Sequence, residues 1–263
     1  MNKKAGRDML DSVLMAFSLY SRIPVPQAKW NEKSMRWCIC FLPLVGAVIG
    51  LIQWAAYMLL GYFSFGTVFR GAILTVLPVM LSGGIHMDGF MDTCDAIHSY
   101  GSREKRLEIL KDPHVGAFAV LGGIVYFILD LGIWTEAGKD EIPLLCLLFV
   151  LSRTLSAFAA VTFPKAKKDG MLRQETDPAA SPTAVIMAAA TLVTGAVMLV
   201  LSPAFAFPMP AVCALLAAMA VFLYYRQMAV KIFGGTTGDL SGWFTQTCEL
   251  VAAMAALFVC RCA

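Results

Sequence analysis

The chain has 263 residues, of which 59% are hydrophobic and 15% are charged, and its formal net charge is +3 at pH 7. A mean hydropathy of +0.71 excludes a soluble domain, which has no use for so much apolar surface. No spacing of basic and aromatic residues suggests a nucleic-acid partner, and loops that face anionic lipid account for the positive charge. We therefore predict an all-α, polytopic membrane helical bundle, folded as a single domain over residues 1–263.

The first predicted element is an amphipathic helix from about Asp8 to Tyr20, too short to span and interrupted by Asp11. We expect it to lie in the membrane interface. Seven apolar runs follow, each long enough to cross a hydrocarbon core of about 30 Å. They cover about residues 38–63, 67–85, 115–134, 142–163, 182–202, 206–225 and 242–260. The turn signals Ser202-Pro203 and Pro208-Met209-Pro210 separate the fifth run from the sixth.

Lysine and arginine positions predict the topology of these seven spans. Seventeen basic residues fall before the first span or in the second, fourth and sixth connections: Lys3, Lys4, Arg7, Arg22, Lys29, Lys33, Arg36, Arg103, Lys105, Arg106, Lys111, Lys165, Lys167, Lys168, Arg173, Arg226 and Lys231. The opposite side carries only Lys139 and Arg261. The positive-inside rule then predicts a multi-pass protein with a cytoplasmic N-terminus and an external C-terminus. The eight cysteines include no CxxC pair and are expected to be reduced and structural.

The most informative segment carries three aspartates within eight residues of an otherwise apolar chain. On a helix, Asp88, Asp92 and Asp95 fall within an arc of roughly 60°. Charges so close to hydrocarbon are costly unless they are paired or bind a metal, which argues against a merely solvated helix. Magnesium suits such a site, since it takes one or two carboxylates and accepts phosphate oxygens as further ligands. This pattern favours a metal site for a phosphorylated substrate at the cytoplasmic face.

Three further groups of residues are candidates for the same site. The loop 234–242 contains Gly234, Gly235, Thr237, Gly238 and Asp239, and its glycines would let backbone N–H groups approach phosphate, unless it is an ordinary turn. Lys111 follows a predicted helix that Pro113 stops, and serves either as a basic lipid anchor or as a phosphate ligand. Arg153 and Glu249 lie inside predicted spans, where they form a structural pair or support the site.

Five blocks of this sequence resemble the cobalamin synthase family (adenosylcobinamide-GDP ribazoletransferase). They are LYSRIPVP (19–26), FLPLVGAVIG (41–50), GGIHMDGFMDTCDA (83–96), REKRLEILKDPHVGAF (103–118) and GGTTGDLSGW (234–243). They occur in the family's order over nearly the whole chain. Pro113-His114 stands where the family usually has serine and arginine, which leaves Lys111 the better phosphate ligand.

The resemblance implies transfer of the phosphocobinamide group of adenosylcobinamide-GDP to α-ribazole or its 5′-phosphate, with release of GMP. It implies Mg²⁺ as cofactor, with Asp88, Asp92, Asp95 and Asp239 as expected ligands. Asp95 or His86 would accept the hydroxyl proton, and Lys111 and Arg153 would stabilise charge on the leaving GMP. Substrate contacts are expected at these positions: Gly83, Gly84, Lys111, Gly234, Gly235, Thr237 and Gly238. The lipid bilayer is an expected partner, and association with itself or with other late cobamide-pathway enzymes is a further expectation.

Other functions fit the residues less well. A CDP-alcohol phosphotransferase also displaces a nucleotide with clustered aspartates, but its motif has Ala-Arg after Asp-Gly, where this chain has Phe90-Met91. An intramembrane prenyltransferase would carry two aspartate-rich motifs. A cation transporter would place its ligands near the midplane, often in two similar halves, whereas these acids cluster at one surface.

Overall fold

The computed structural model describes residues 3–30, 32–166, 180–201 and 208–262, and within these the chain is helical with no strand. The helices are α1 Lys3–Tyr20, α2 Glu32–Cys38, α3 Leu42–Tyr62, α4 Thr67–Ser82, α5 Ile85–His98, α6 Arg103–Ile109, α7 Ala117–Glu136, α8 Ile142–Thr162, α9 Ala180–Val200, α10 Met209–Met228 and α11 Gly238–Cys262. A 3₁₀ turn (Ile39–Phe41) precedes α3, and a π-turn (Ala229–Phe233) follows α10. The predicted turn at Ser202-Pro203 and the basic residues Lys167, Lys168 and Arg173 lie outside the described residues.

Among the described residues, six helices are long and apolar enough to cross a membrane: α3 with its 3₁₀ turn, α7, α8, α9, α10 with its π-turn, and α11. The pair α4–α5 passes the same test only when joined and is bent by 95°, so it adds a seventh crossing if the two helices count as one broken span. The predicted count of about seven spans is thus confirmed. Pro210 lies in the first turn of α10, where its missing N–H breaks no helical hydrogen bond.

The second span differs from the prediction, which ran straight through residues 67–85. Helix α4 has 16 residues and is therefore about 24 Å long, short of the hydrocarbon core. Gly83 and Gly84 then take φ angles of 69° and 79°, the left-handed region that side chains disfavour. This turn sends α5 away at a sharp angle, so the acidic helix does not continue the axis of the span and lies outside the six long spanning helices.

The bundle is arranged around α8: 78% of its apolar 18-residue stretch is buried inside the protein, against 28% for the corresponding stretch of α7. It packs against α3, α9 and α11, while α5 packs against both α7 and α11. The expected N-terminal helix is present as α1, which packs on α2 and buries Met15, Ala16 and Phe17 while exposing Met9 and Leu10. Its two-faced character fits the predicted place at the membrane interface, which stays a prediction.

All eight cysteines are free thiols, as expected, with no disulfide. The positions that matter for function are therefore set by helix packing, and above all by the contact between α5 and α11.

Candidate active site

The site is built on a contact between two glycines that bring the backbones of α5 and α11 together. A Cβ atom at Gly89 would lie 2.7 Å from the carbonyl oxygen of Asp239 and 2.8 Å from its Cα. A Cβ atom at Gly242 would lie 2.8 Å from the carbonyl oxygen of His86. Neither position tolerates a side chain without a shift of backbone. Sequence reasoning did not assign these roles, although the glycine beside each acidic segment was a signal for close helix approach.

This contact joins acids that are far apart in sequence. Asp88, Asp92 and Asp239 form what we call the carboxylate cluster. Asp88 is exposed, while Asp92 and Asp239 are half-buried. The pKa of Asp92 is raised to about 6, first by burial and then by the charges of Asp88, Asp239 and Asp95 in that order. The four acids predicted to act together therefore share one electrostatic environment.

Asp95 differs from the other three because its carboxylate caps helix α7. Its Oδ2 accepts a hydrogen bond from the backbone N–H of Gly116 (2.6 Å), and its Oδ1 accepts one from Ala119 (2.9 Å). Both donors belong to the otherwise unpaired N–H groups at the start of a helix. The structure thus gives Asp95 a role in holding α7 against α5, and its expected role as metal ligand or general base stays a prediction.

The Gly-rich loop is folded differently from the expected phosphate cradle. Three of its backbone N–H groups donate to carbonyls of the protein: Gly234 to Val230 (3.1 Å), Gly235 to Ala229 (2.8 Å) and Thr236 to Pro164 (2.7 Å). The π-turn supplies two of these acceptors. The backbone of residues 164–166 fills the space above Gly235, where a Cβ would lie 2.5 Å from the nitrogen of Ala166. Gly234 and Gly235 therefore serve the turn and offer no N–H to a substrate.

The end of the loop stays next to the carboxylate cluster. Thr237 caps α11, its Oγ1 accepting from the N–H of Leu240 (3.2 Å), and it donates to Oδ2 of Asp239 at 3.4 Å. Gly238 has open space where a side chain would be. Of the predicted loop contacts, Thr237 and Gly238 are thus the two that remain beside the acids.

Gly83 and Gly84 are also turn residues, and the side chain of Arg22 covers the first of them. A Cβ at Gly83 would lie 2.5 Å from Cγ of Arg22. The two glycines thus have a structural role in directing α5 towards α11, and Gly84 has open space beside it, so their predicted substrate contact stays a prediction.

His86 points into the bundle rather than towards the carboxylate cluster. Its side chain is buried, and burial together with the nearby positive charge of Arg153 lowers its pKa to about 3. No hydrogen-bond partner for its Nδ1 occurs among the described residues. This enclosed position sets His86 apart from the exposed Asp88, and its expected role as general base stays a prediction.

Arg153 and Glu249 pair with each other in the interior. Arg153 is 1% exposed, and its Nη1 lies 2.5 Å from Oε1 of Glu249, which also accepts from Oγ of Ser152 at 2.6 Å. Breaking a buried pair costs about 3–5 kcal/mol, since one charge is left uncompensated. The structure thus gives Arg153 a role in joining α8 to α11, and the predicted contact with the leaving group stays a prediction.

Lys111 is exposed just after α6, and its backbone N–H donates to the carbonyl of Glu108. Nearby, the exposed His114 and Asp112 pair with each other, Nδ1 to Oδ1, at 2.7 Å. Neither arrangement connects Lys111 to the carboxylate cluster. Its expected phosphate contact stays a prediction.

The described residues contain no three acidic, histidine or cysteine side chains already converged on one point as a complete ion cage. The donor set nevertheless suits a hard divalent cation that shares its coordination with a substrate. Such a cation needs one or two carboxylates and completes its shell with water and phosphate oxygens. The carboxylate cluster therefore fits an open magnesium site better than a closed one.

The family model described as cobalamin-5-phosphate synthase matches residues 12–257 of this chain. A protein of Lachnoclostridium phytofermentans, named adenosylcobinamide-GDP ribazoletransferase, is 42% identical over 94% of this chain and 93% of its own length. Proteins with the same name from Geobacillus thermodenitrificans and Clostridium botulinum are 34% and 27% identical, covering 90% and 95% of this chain and 91% and 98% of their own lengths. No solved structure matches this chain.

Proposed function

This chain belongs to the cobalamin-5-phosphate synthase family, and on that premise we propose that it is an adenosylcobinamide-GDP ribazoletransferase acting at the carboxylate cluster. A hydroxyl of α-ribazole, or of its 5′-phosphate, attacks the phosphorus that carries cobinamide. The bond between that phosphorus and the bridging oxygen breaks, and GMP leaves. The products are adenosylcobalamin or its phosphate, together with GMP. The main support for an active site at the carboxylate cluster is the Gly89–Gly242 contact, which brings the acids of α5 close to Asp239 of α11.

Mg²⁺ is proposed as the cofactor, held by Asp92 and Asp239 with Asp88 at the rim. When bound, it supplies positive charge that neutralises the diphosphate of the substrate. This proposal is supported by the clustering of oxygen donors and by the raised pKa of Asp92, which burial raises first and the charges of Asp88, Asp239 and Asp95 raise next.

The protein residues account for the rest of the reaction by position and charge. Phosphoryl transfer depends on alignment and charge neutralisation more than on covalent catalysis. With His86 buried and both oxygens of Asp95 bonded to α7, Asp88 is the exposed carboxylate that an acceptor hydroxyl can reach. Asp88 is therefore the proposed general base, which accepts the proton that this hydroxyl loses.

The orientation in the membrane is also part of the proposal. The basic residues predict that α6 and the loop 234–238 face the cytoplasm, where guanosine nucleotides occur. The site would then open to that side, with the C-terminus of α11 outside. A cysteine-labelling experiment on the exposed Cys262 in intact cells, with a membrane-impermeant maleimide, is a direct check of this orientation.

We expect purified protein in detergent to release GMP from adenosylcobinamide-GDP only when α-ribazole or its 5′-phosphate is present. The release should stop with EDTA and return with added Mg²⁺, because the diphosphate needs its charge neutralised. Chromatography of the guanosine nucleotides and of the corrinoid product measures both halves of the reaction. Folded protein that releases no GMP in any of these mixtures, yet releases CMP from a CDP-alcohol with a second alcohol, would overturn the assignment.

A further inference from the structure

Helix α6 carries two arginines on the face that it turns towards the Gly-rich loop. Arg103 and Arg106 are three residues apart, so their side chains leave the helix on the same side. The helix packs against the π-turn Ala229–Phe233, which leads directly into Gly234. Ser102 caps α6 by accepting a hydrogen bond from the N–H of Lys105 at 3.3 Å. This cap fixes the start of the helix, and so places Arg103 in its first turn.

The guanidinium of Arg103 is seated directly on the loop. A Cβ atom at Gly234 would overlap its Cζ and both Nη atoms. Gly234 has a φ of 74°, so it has both the backbone conformation and the empty space that a glycine supplies. The absence of a side chain here makes room for a planar cation above the loop.

Within the part of the chain that the structure describes, neither arginine forms an ion pair, although the charge of Arg103 acts on the adjacent Glu104. Across residues 3–30, 32–166, 180–201 and 208–262, the ion pair formed within α6 joins Lys105 to Glu108 at 3.1 Å, and no carboxylate lies within salt-bridge distance of Arg103 or Arg106. The Nε of Arg106 is buried with no hydrogen-bond partner in that part of the chain. Arg103 is exposed and therefore accessible to a substrate from solution.

These cations and the carboxylate cluster lie at the two ends of one short loop. Arg103 covers Gly234 at its beginning, and Thr237 contacts Asp239 at its end. A substrate whose phosphates are held at the acids would thus extend along the loop towards the guanidinium groups.

We propose that Arg103, supported by Arg106, is the phosphate-binding group of this site and grips a phosphate of the substrate by paired hydrogen bonds. A guanidinium presents two parallel N–H donors to phosphate oxygens, which a lysine cannot do. The inference rests on the proposed function and assigns it a further binding residue. The phosphate belongs either to the diphosphate of adenosylcobinamide-GDP or to the 5′-phosphate of the acceptor, which are the same chemical group.

The test compares Arg103→Met with Lys105→Met, a matched loss of one positive charge from the same helix. Lys105 is exposed and pairs with Glu108 away from the loop, so its removal should change little. Steady-state rates are measured for three substrates: adenosylcobinamide-GDP, α-ribazole and α-ribazole 5′-phosphate. Arg103→Met should raise one KM by about 10- to 100-fold, the effect of losing a charge-assisted hydrogen bond.

The substrate affected identifies the source of the phosphate. A raised KM for adenosylcobinamide-GDP with either acceptor assigns Arg103 to the donor. A raised KM for α-ribazole 5′-phosphate, with that for α-ribazole unchanged, assigns it to the acceptor. Equal KM values in Arg103→Met and Lys105→Met for all three substrates overturn the inference while leaving the proposed function intact. Absence of GMP release from the wild-type protein would instead be a failure of the proposed function.

Folding is controlled in the same preparations. Arg103→Lys keeps the charge but not the planar pair of donors, and should fall between the wild type and Arg103→Met in KM. If the thermal unfolding midpoints of all variants agree and Arg103→Lys matches Arg103→Met, the paired geometry is essential. If Arg103→Lys matches the wild type, paired hydrogen bonding is overturned.

Discussion

Replacing Asp92 by asparagine (Asp92→Asn) is expected to lower the rate of GMP release by about 10²- to 10³-fold with the fold preserved. The side chain keeps its size, so packing between α5 and its neighbours should not change. What is lost is a negative oxygen at the centre of the cluster, where Asp88, Asp239 and Asp95 all act on the same group. The measurement is GMP release over a range of Mg²⁺ concentrations.

Asp140→Asn is the matched control for this prediction. Asp140 is exposed in the connection between α7 and α8, outside the candidate site, so removing its charge should leave the rate close to that of the wild type. Equal activity of Asp92→Asn and wild type at limiting Mg²⁺ would show that the cluster does not bind the ion.

The same residue predicts the pH dependence. With a pKa of about 6, the carboxyl of Asp92 is protonated below pH 6 and ionised above it. Since a metal needs the ionised form, the apparent affinity for Mg²⁺ should rise as pH rises through 6 and level off above it. Asp88→Asn removes one of the charges that raise this pKa, and so should move the rise in Mg²⁺ affinity to lower pH. Direct Mg²⁺ titration of both proteins between pH 5 and 8 measures the shift, and an unmoved curve would contradict the shared cluster.

Gly89→Ala should lower the rate of GMP release nearly as much as Asp92→Asn, although it removes no charge. The added methyl carbon would lie 2.7 Å from the carbonyl oxygen of Asp239 and 2.8 Å from its Cα, and these are backbone atoms that cannot rotate away. Overpacking of this kind costs about 1–3 kcal/mol, and a displacement of about 1 Å at a catalytic group costs about 10²-fold in rate. We expect a lower unfolding midpoint and about 10²-fold slower GMP release.

Gly132→Ala tests whether the effect comes from the contact rather than from losing a glycine. Gly132 lies in α7 with open space around it, so alanine there should leave activity unchanged and, through its higher helix propensity, hold or raise the midpoint. Gly242→Ala should resemble Gly89→Ala, since it forces the same helices apart from the other side. If Gly89→Ala behaves like Gly132→Ala in both measurements, the close approach of α5 to α11 is not needed for the site.

The candidate site shows which functional residues local sequence patterns could predict and which they could not. The stripe of Asp88, Asp92 and Asp95 was visible as helical spacing, and Asp239 as a second acidic position in a glycine-rich loop. The sequence pattern could not predict that both carboxylate oxygens of Asp95 accept hydrogen bonds from Gly116 and Ala119, because only helix packing brings these residues together. Likewise the N–H groups of the loop looked available until the π-turn and residues 164–166 supplied their acceptors.

Composition, helical spacing and motifs were enough to predict the class of protein, the approximate limits of its spans, the acidic stripe and the family. These depend on run length, helical period and motif, which are properties of neighbouring residues and of a bilayer of fixed thickness. Helix packing was needed to reveal four features: the 95° bend at Gly83-Gly84, the Gly89–Gly242 contact, the burial of His86 and the pairing of Arg153 with Glu249. These features could not be predicted because a buried polar group must find its partner in space. That partner lies on another helix, at a distance along the chain that no local pattern encodes.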